Sequence, residues 1–307
     1  MQFKPPSQQE RLAAIGSTAG LPPTLQRALT PDDGFAPLPE PGPNDWLSNH
    51  REDGQTFDEF VRARPNRPDA QRHKLYLQPL GEFPKGESPP LDRLREFAAA
   101  FFMMDVAVLP PLDLATGRIT SRRNPSTGQP QLLTGDLLAL LRSKLPNDAY
   151  ALLGITMVDL YPQESWNFVF GQASLRERVA VYSFARYDPH FYGASPPKDG
   201  QSLLLLRSCK VLAHETAHMF GIQHCIYFHC LMNGSNHLAE SDARPLHLCP
   251  VDLRKLQHSI GFDVVERYRR LLDFSRQTGF LDEARWLARR VEHITSAGGG
   301  GQSGSTR

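Results

Sequence analysis

HETAHMFGIQHC, from His214 to Cys225, lies at the end of a long apolar segment that is typical of a buried helix. On a helix, His214 and His218 lie one turn apart on the same face, close enough to bind one ion. Zinc is a suitable ion because neutral imidazole is one of its usual ligands. Gly221 predicts where the helix ends, since glycine adopts at little cost the left-handed conformation that commonly ends a helix. His224 can then reach the same ion from another direction, which leaves the fourth position to water.

Glu215 adjoins the first histidine of this pattern. Consecutive side chains on a helix are rotated by about 100°, so Glu215 would flank the ion instead of binding it. A carboxylate in that position can take a proton from zinc-bound water. HExxH alone arises by chance in unrelated proteins, but here a glycine and a third histidine extend it at fixed offsets. The sequence therefore predicts a catalytic zinc site.

The composition is that of an ordinary globular protein. The chain has 307 residues, of which 40% are apolar and 22% are charged, and its formal net charge is +1. A near-neutral chain lacks the basic surface of a nucleic-acid-binding protein.

No apolar run reaches the roughly 18 residues of a membrane span, and the N-terminus lacks the apolar core of a secretory signal. We therefore expect a protein of the cytosol, with or without the nucleus, whose four cysteines are reduced thiols. The sequence gives no indication of the oligomeric state.

Residues 1–71 form a proline-rich N-terminal arm. The pattern predicts loop or extended structure with at most one short helix, near Leu25–Leu29. Two alternatives stay open for the arm. It is either mobile, or wrapped onto the rest of the chain and anchored by Phe35, Trp46 and Phe57.

From about residue 72, apolar runs of strand length alternate with amphipathic helices. Strands are expected in KLYLQPL, DVAVLPPL and YALLGITMVDLY, and helices in LDRLREFAAAFFMM and TGDLLALLRSKL, where Thr134 is the expected N-cap. RRNPSTGQPQL is expected to be a polar link. Helices between strands imply a largely parallel sheet. A hairpin of NFVFGQAS and RVAVYSFARY would add an antiparallel edge.

The predicted fold class is therefore α/β, or α+β, with a mixed, largely parallel twisted sheet and a long active-site helix. Residues 72–222 would form an N-terminal catalytic subdomain that includes this helix. Residues 223–295 would form a helical C-terminal subdomain, loop-like to about residue 250 and closed by two amphipathic helical segments. Residues 296–307, rich in glycine and serine, are expected to be a flexible tail.

The extended pattern HExxHxxGxxH is the metzincin signature. The segments that follow it, HCIYFHCLM and later CPVD, place three cysteines and a methionine in an arrangement that resembles the archaemetzincins, a family of zinc metallopeptidases. LYLQPLG, VDLYP, NFVFGQA and GSNHLAESDARPLHLCP also resemble the vertebrate-type branch of that family. The likeness covers about residues 72 to 270.

The resemblance implies a metzincin-like fold with His214, His218 and His224 as zinc ligands and Glu215 as general base and acid. It also implies that Met232 forms an apolar floor beneath the histidines. Ordinary core packing of Met232 would place that side chain in nearly the same way, so the sequence does not separate the two interpretations.

The resemblance further implies a second, structural zinc bound by four thiolates. Cys225, Cys230 and Cys249 match three of them, but the fourth position is Asp252. A carboxylate is a legitimate zinc ligand and could complete the site. Alternatively His229 or His247 replaces the missing thiolate, or the site is weak or empty.

Asp252 also has a purely structural interpretation. Cys249 would be the N-cap of a helix and Pro250 its first residue, which places Asp252 in the first turn, where negative charge is favoured.

The resemblance assigns substrate binding to the sheet edge that precedes the active-site helix. An extended peptide would add as a strand to the segment of Asn167, Phe168, Val169, Phe170 and Gly171. Gly171 would allow close backbone approach. A plain sheet edge without this role is the alternative.

The predicted function is a zinc metallopeptidase that acts on peptides or flexible protein segments, with no nucleic-acid or membrane partner. Beyond the ion, the nearest polar groups for the oxyanion are Tyr227 and His237, both expected to be loop residues without a catalytic role. The alternative is a weakly active or inactive zinc-stabilised binding or scaffold protein. Asp252 and an arm able to cover the cleft favour that alternative.

Overall fold

The structure is a computed structural model that describes residues 3–114, 118–195 and 199–296. Its helices are α1 (Gln8–Ile15), α2 (Pro23–Leu29), α3 (Trp46–Asn49), α4 (Phe57–Arg62), α5 (Leu91–Phe102), α6 (Thr134–Ser143), α7 (Gly200–Met219), α8 (Leu238–Ala243), α9 (Pro250–Ile260), α10 (Val264–Thr278) and α11 (Leu281–Thr295). Its strands are β1 (Lys74–Leu80), β2 (Asp105–Val108), β3 (Ser121–Arg123), β4 (Pro130–Leu133), β5 (Ala149–Thr156), β6 (Asp159–Tyr161), β7 (Gly171–Ser174) and β8 (Val179–Ser183).

The main sheet has five strands in the order β2-β1-β5-β8-β7. All neighbours are parallel except β7, which pairs antiparallel with β8 at one edge. Every residue of β5 is buried, because helices cover both faces of the sheet. Leu152 packs towards α6 and Leu153 towards α5 and α7, as expected from the alternation of side chains along a strand. The predicted mixed, largely parallel sheet with an antiparallel edge is confirmed.

A second sheet has three strands in the order β3-β4-β6. Strands β3 and β4 fall largely in the segment predicted to be a polar link, whereas β6 is the end of the predicted strand YALLGITMVDLY. The Asn124 side chain closes the turn between β3 and β4 by accepting bonds from the main-chain N–H groups of Ser126 and Thr127. The predicted N-cap of α6 is wrong by one residue, since Leu133 holds that position. The hydroxyl of Thr134, which begins the helix, instead donates to the side-chain oxygen of Gln172 in β7.

The N-terminal arm is folded onto the domain. The short helix expected near Leu25–Leu29 is α2, while α1, α3 and α4 were not predicted. Phe35 and Phe57 are buried, as the wrapped alternative requires. Both α1 and α4 begin with a capping box, a serine or threonine followed three residues later by glutamate, and this sequence signal was overlooked. The arm packs mainly against α9 and α11 and shares their apolar core.

The C-terminal segment contains more helix than expected. A short helix, α8, interrupts the predicted loop, and three helices, α9 to α11, close the fold instead of two. Cys249 and Pro250 hold the N-cap and the first position of α9, as predicted. Residues 297–307 of the predicted tail lie outside the described residues. Within the described part of the chain, no helix combines the length and apolar character that a membrane crossing needs.

We expect Phe60→Ala, in α4 of the arm, to lower the free energy of unfolding by about 3–5 kcal/mol, since it leaves a cavity in place of a fully buried ring. Denaturant unfolding followed by circular dichroism would measure the change. Val61→Ala is the matched control, because Val61 is exposed on the same helix. Its effect should stay within about 0.5 kcal/mol. Equally small effects of the two substitutions would contradict a packed arm.

Candidate active site

The histidine cluster is assembled by α7 and the turn that follows it. His214 and His218 lie near the C-terminal end of α7, one turn apart. Gly221 has a φ of +78°, which lets the chain reverse and bring His224 back to the pair. A Cβ atom at Gly221 would also come within 2.9 Å of Pro65 in the arm. The turn predicted at this position therefore requires glycine for two reasons: the positive φ of the backbone and the lack of room for a Cβ atom beside Pro65.

Each of the three rings is oriented through its Nδ1 atom. Nδ1 of His214 donates to the carbonyl oxygen of Leu231 at 3.0 Å, and Nδ1 of His218 donates to that of Ile222 at 2.6 Å. Nδ1 of His224 lies 2.6 Å from a carboxylate oxygen of Glu52, which belongs to the arm. With the ring protons held on Nδ1, every Nε2 presents a lone pair, as a metal ligand must.

The Nε2 atoms of His214 and His218 face each other at 3.1 Å. Two lone pairs at that distance repel unless a cation lies between them. Burial lowers the pKa of His218 to about 4 and that of His214 well below its usual value, so neither ring supplies that cation as imidazolium at neutral pH. Two nitrogens bound tetrahedrally to one zinc at about 2.0–2.1 Å would lie about 3.3 Å apart. Candidate ligand atoms of all three histidines lie within 4.8 Å of one another, so the donor set fits zinc.

Glu215 lies beside this cluster, with its carboxyl group against the start of β7. A Cβ atom added to Gly171 would be 3.3 Å from the carboxyl carbon of Glu215 and 3.0 Å from the carbonyl oxygen of Val181. Only glycine therefore fits there without displacing a neighbour. Burial raises the pKa of Glu215 to about 7, although the positive charge of Arg244 acts in the opposite direction. Such a carboxyl group can both accept and donate a proton near neutral pH.

The cluster opens into a cleft of about 400 Å³ whose walls are largely aromatic. Phe168 and Phe170 form one wall, and the ring of Phe170 packs on Tyr187 at 5.2 Å. Trp46 and His50, from the arm, stack on each other at 3.8 Å and line the cleft on the side of the third histidine. A cleft of this kind can hold an extended apolar chain beside the histidines.

The predicted substrate-binding strand is displaced along the chain. Among its five residues, only Gly171 lies in β7, and Asn167 does not line the cleft. The carbonyl oxygen of Asn167 already accepts bonds from the side chains of Asn124 and Gln131. The main-chain N–H of Val169 donates to Leu160 in the second sheet. The strand predicted to begin at Asn167 therefore begins only at Gly171, although the carbonyl oxygen of Phe170 still accepts a bond from the main-chain N–H of Ser183 in β8. Phe168, Val169, Phe170 and Gly171 nevertheless line the cleft.

Arg244 is a buried cation behind the cluster, 5% exposed. Its guanidinium donates to the carbonyl oxygen of Asn233 at 2.7 Å and to the hydroxyl of Ser241 at 2.7 Å. One of its terminal nitrogens lies 3.2 Å from Nδ1 of His214. Arg244 therefore ties the turn after Met232 to α8 and places positive charge at the base of the cleft.

The cysteine cluster lies directly behind the third histidine. The sulfur atoms of Cys225 and Cys249 are 3.6 Å apart, and one carboxylate oxygen of Asp252 lies 3.3 Å from Cys230 and 3.5 Å from Cys249. All four residues are buried. Ligands of a tetrahedral zinc, at about 2.3 Å for sulfur and 2.0–2.2 Å for oxygen, would be about 3.5–3.8 Å apart. The four side chains thus form a second donor set that fits zinc.

The other oxygen of Asp252 accepts a bond from the buried ammonium group of Lys255 at 2.9 Å. Neither of the two replacement ligands considered from the sequence, His229 and His247, belongs to the cysteine cluster. His247 stacks on Trp286 at 3.5 Å and contacts Glu283. Of the alternatives for the fourth position, the geometry favours Asp252.

Met232 is fully buried near both clusters. Its carbonyl oxygen accepts a bond from the main-chain N–H of Cys225 at 2.8 Å, and the preceding residue, Leu231, holds His214. The turn around Met232 is therefore bonded to both donor sets. Tyr227 and His237 do not line the cleft, and His237 caps α8, as expected for loop residues.

Sequence reasoning missed Glu52, Trp46, Tyr187 and Arg244 as residues of this site. Glu52 and Trp46 are distant in sequence from the histidine motif. Tyr187 and Arg244 are nearer, and Arg244 lies in the segment GSNHLAESDARPLHLCP, but no spacing marks either residue as part of the site. Trp46 was singled out only as an anchor of the arm. The residues around Glu52 in the proline-rich arm form no spacing motif that points to the histidines, so only the three-dimensional structure places Glu52 beside His224.

Comparison with known proteins identifies relatives of this chain. The model of peptidase family M54 matches residues 133–258. Archaemetzincin-2 from Macaca fascicularis is 39% identical over 297 residues, which cover 87% of this chain and 80% of that protein. Archaemetzincin-2 from Mus musculus is 41% identical over 267 residues, which cover 78% of this chain and 74% of that protein. The solved structure of archaemetzincin from Methanopyrus kandleri is 30% identical, with a TM-score of 0.48, and the match covers 62% of this chain and 97% of that one.

The family match and the two archaemetzincin-2 relatives show that the chain is a zinc metallopeptidase, a hydrolase whose substrates are peptides or proteins. It belongs to the archaemetzincins, peptidase family M54.

We expect Arg244→Met to lower the free energy of unfolding by about 2–4 kcal/mol, because it leaves the buried acceptors of Asn233 and Ser241 without a donor. Arg244→Lys should recover less than half, since one ammonium group does not match the two-pronged guanidinium. Thermal and denaturant unfolding would measure both. Arg285→Met, at an exposed arginine, is the control and should have an effect within about 0.5 kcal/mol. Full recovery by lysine would show that charge alone matters at this position.

Proposed function

We propose that the chain hydrolyses peptide bonds at a zinc ion held by His214, His218 and His224, with Glu215 as general base and acid. This proposal rests on one observation. The Nδ1 atom of each of the three rings is hydrogen-bonded to another group, so the three Nε2 atoms that converge are free to bind a metal. When bound, a zinc ion lowers the pKa of a water molecule and polarises a carbonyl group.

The protein's own part in the reaction is proton transfer and positioning. Glu215 accepts a proton from the attacking water and returns it to the leaving amine, and a pKa near neutrality suits both steps. The buried charge of Arg244 favours the ionised form of Glu215, in which it is able to accept the proton. The aromatic walls make much of the cleft lining apolar, which strengthens these charge interactions.

Substrate would bind in extended form along β7. This strand lies at the edge of the main sheet, and among the described residues no strand pairs with its outer side. Main-chain N–H and C=O groups at such an edge can bind a peptide by strand addition. Gly171, the first residue of β7, lies against Glu215 and would let the scissile bond approach the carboxyl group. Phe168 and Phe170 would contact apolar side chains of the peptide.

We also propose a second, structural zinc held by Cys225, Cys230, Cys249 and Asp252. The support is a buried donor set with tetrahedral spacing and no opening to the cleft. Two main-chain N–H groups point at the sulfur of Cys230, from Cys249 at 3.2 Å and from Met232 at 3.5 Å, which favours a thiolate there.

All four cysteines of the chain are free and buried, consistent with a reducing compartment such as the cytosol or nucleus.

We expect Glu215→Gln to reduce kcat/KM on a peptide library by about 10²- to 10⁴-fold while zinc content is retained, because the amide cannot carry the proton. Metal analysis and mass-spectrometric detection of products would measure both. Glu164→Gln, at a glutamate whose side chain is 82% exposed, is the matched control and should cleave like wild type. Equal cleavage by wild type and Glu215→Gln would remove Glu215 from the mechanism. A wild-type protein that holds zinc but cleaves nothing would favour the alternative binding or scaffold function.

Elemental analysis should find two zinc ions per chain in the wild type and one in Asp252→Ala. The same substitution leaves Lys255 buried and unpaired, which we expect to cost about 3–5 kcal/mol of stability. Asp252→Cys separates the two effects, since a fourth thiolate keeps the zinc but not the ion pair. Asp282→Ala, at an exposed first-turn aspartate of α11, controls for the helix terminus. A wild-type protein with a single zinc would overturn the second site.

A further inference from the structure

The segment of the arm from Asp45 to Gln55 crosses the turn that carries the third histidine. The Gln55 side chain donates to the carbonyl oxygen of Gly221 at 3.2 Å and accepts from the main-chain N–H of Gln223 at 3.2 Å. At its other end, the main-chain N–H of Trp46 donates to Glu240 of α8 at 2.9 Å. We call residues 45–55 the strap. It is bonded to the protein on both sides of the histidine cluster.

Glu52 lies in the middle of the strap and contacts the cluster directly. One of its oxygens, Oε1, accepts bonds from Nδ1 of His224 at 2.6 Å and from the indole N–H of Trp46 at 2.8 Å. The other oxygen, Oε2, is buried and has no hydrogen-bond partner among the residues that the structure describes. The Trp46 ring stands edge-on to the ring of His224, with centroids 5.2 Å apart.

His224 differs from the other two histidines in the group that orients it. His214 donates to a main-chain carbonyl 17 residues away in the chain, and His218 donates to one 4 residues away. His224 donates to a carboxylate 172 residues away. A carbonyl and a carboxylate both fix the ring, but the negative charge also makes the opposite nitrogen a stronger electron donor.

We infer that Glu52 is a positioning residue of the catalytic centre, through which the N-terminal strap orients His224 and strengthens its bond to the metal. The inference rests on the proposed function, since it requires an ion at the three histidines. It makes the arm a part of the metal site and not only a cover on the domain. Trp46 supports the role by directing Oε1 towards the ring.

Metal competition on the full-length protein tests this inference. Zinc-loaded wild type, Glu52→Ala and Glu52→Gln are titrated with a chelator, and the zinc that remains bound is measured. We expect Glu52→Ala to weaken zinc binding at the histidines by about 10- to 100-fold, the usual cost of losing such a partner. Glu52→Gln should recover part of the loss, because an amide oxygen still accepts from Nδ1 but carries no charge.

Cobalt substitution supplies a readout that does not depend on activity. The visible ligand-field bands of cobalt at the histidines should shift in Glu52→Ala, while thiolate charge-transfer bands from the cysteine cluster stay unchanged. Asp53→Asn is the matched control, since it removes the neighbouring, 90% exposed carboxylate. Its chelation curve should match wild type.

The outcomes separate this inference from the proposed function. If His218→Ala binds zinc as fully as wild type, the histidine site itself is wrong. If His218→Ala loses a zinc but Glu52→Ala binds it as tightly as wild type, the role of Glu52 is overturned. Equal losses in Glu52→Ala and Asp53→Asn would also overturn it, because general surface charge would then explain the effect. If Glu52→Ala does not fold, Trp46→Phe keeps an aromatic ring at this position but removes the N–H donor to Glu52. It should shift binding in the same direction by less, and an unchanged affinity would contradict the inference.

Discussion

The position of three imidazole nitrogens around one point is the constraint on which the site depends. A helix brings two of them together at a spacing of one turn, but a helix cannot set the rotation of each ring. That rotation is set by the acceptor at each Nδ1, and the three acceptors come from different parts of the fold: Leu231, Ile222 and Glu52. The ring geometry is therefore a product of tertiary structure. The end of α7, the turn after it and the arm must all be in place before the nitrogens converge.

The two donor sets are mechanically linked. His224 and Cys225 are adjacent, so a metal at the cysteines would hold the main chain next to the third histidine. On the other side, the turn through Leu231 and Met232 bonds to both His214 and Cys225. A movement at either cluster would therefore be transmitted to the other through a few rigid main-chain bonds. This linkage explains why a buried structural site would be placed so close to a catalytic one, where the reacting groups must be held within fractions of an ångström.

Much of the fold and the centre of the site could be predicted from the sequence. Alternation of strands and helices indicated the parallel sheet, and the motif from His214 to His224 indicated the three histidines that the fold brings together. These features have local periods, which a sequence displays directly. The sequence-based predictions are wrong or incomplete where contacts between distant segments determine the local structure. Asn167 and Phe168 were expected to belong to a strand, but the side chains of Asn124 and Gln131 bond the carbonyl oxygen of Asn167, and the edge strand begins only at Gly171. Glu52 joins the site across a long separation in sequence, and no spacing motif marks either Glu52 or Arg244 as part of it.

The arm shows why a proline-rich segment need not be a passive one. Proline reduces the conformations available to the unfolded chain, so ordering the arm costs less entropy than its irregular sequence suggests. Capping boxes stabilise the short helices α1 and α4 once they form. The cost is offset by buried anchors such as Phe60 and by polar bonds to main-chain groups, among them those of Arg27 to the carbonyl oxygen of Ile294. The arm is thus held at both ends, by α4 on α9 and by α2 on α11, with residues 45–55 stretched between them over the cleft. A segment fixed in this way can present a carboxylate to a metal ligand with the precision of a helix. In this protein, the buried contacts that stabilise the fold also determine the geometry of the histidine that the motif alone leaves least constrained.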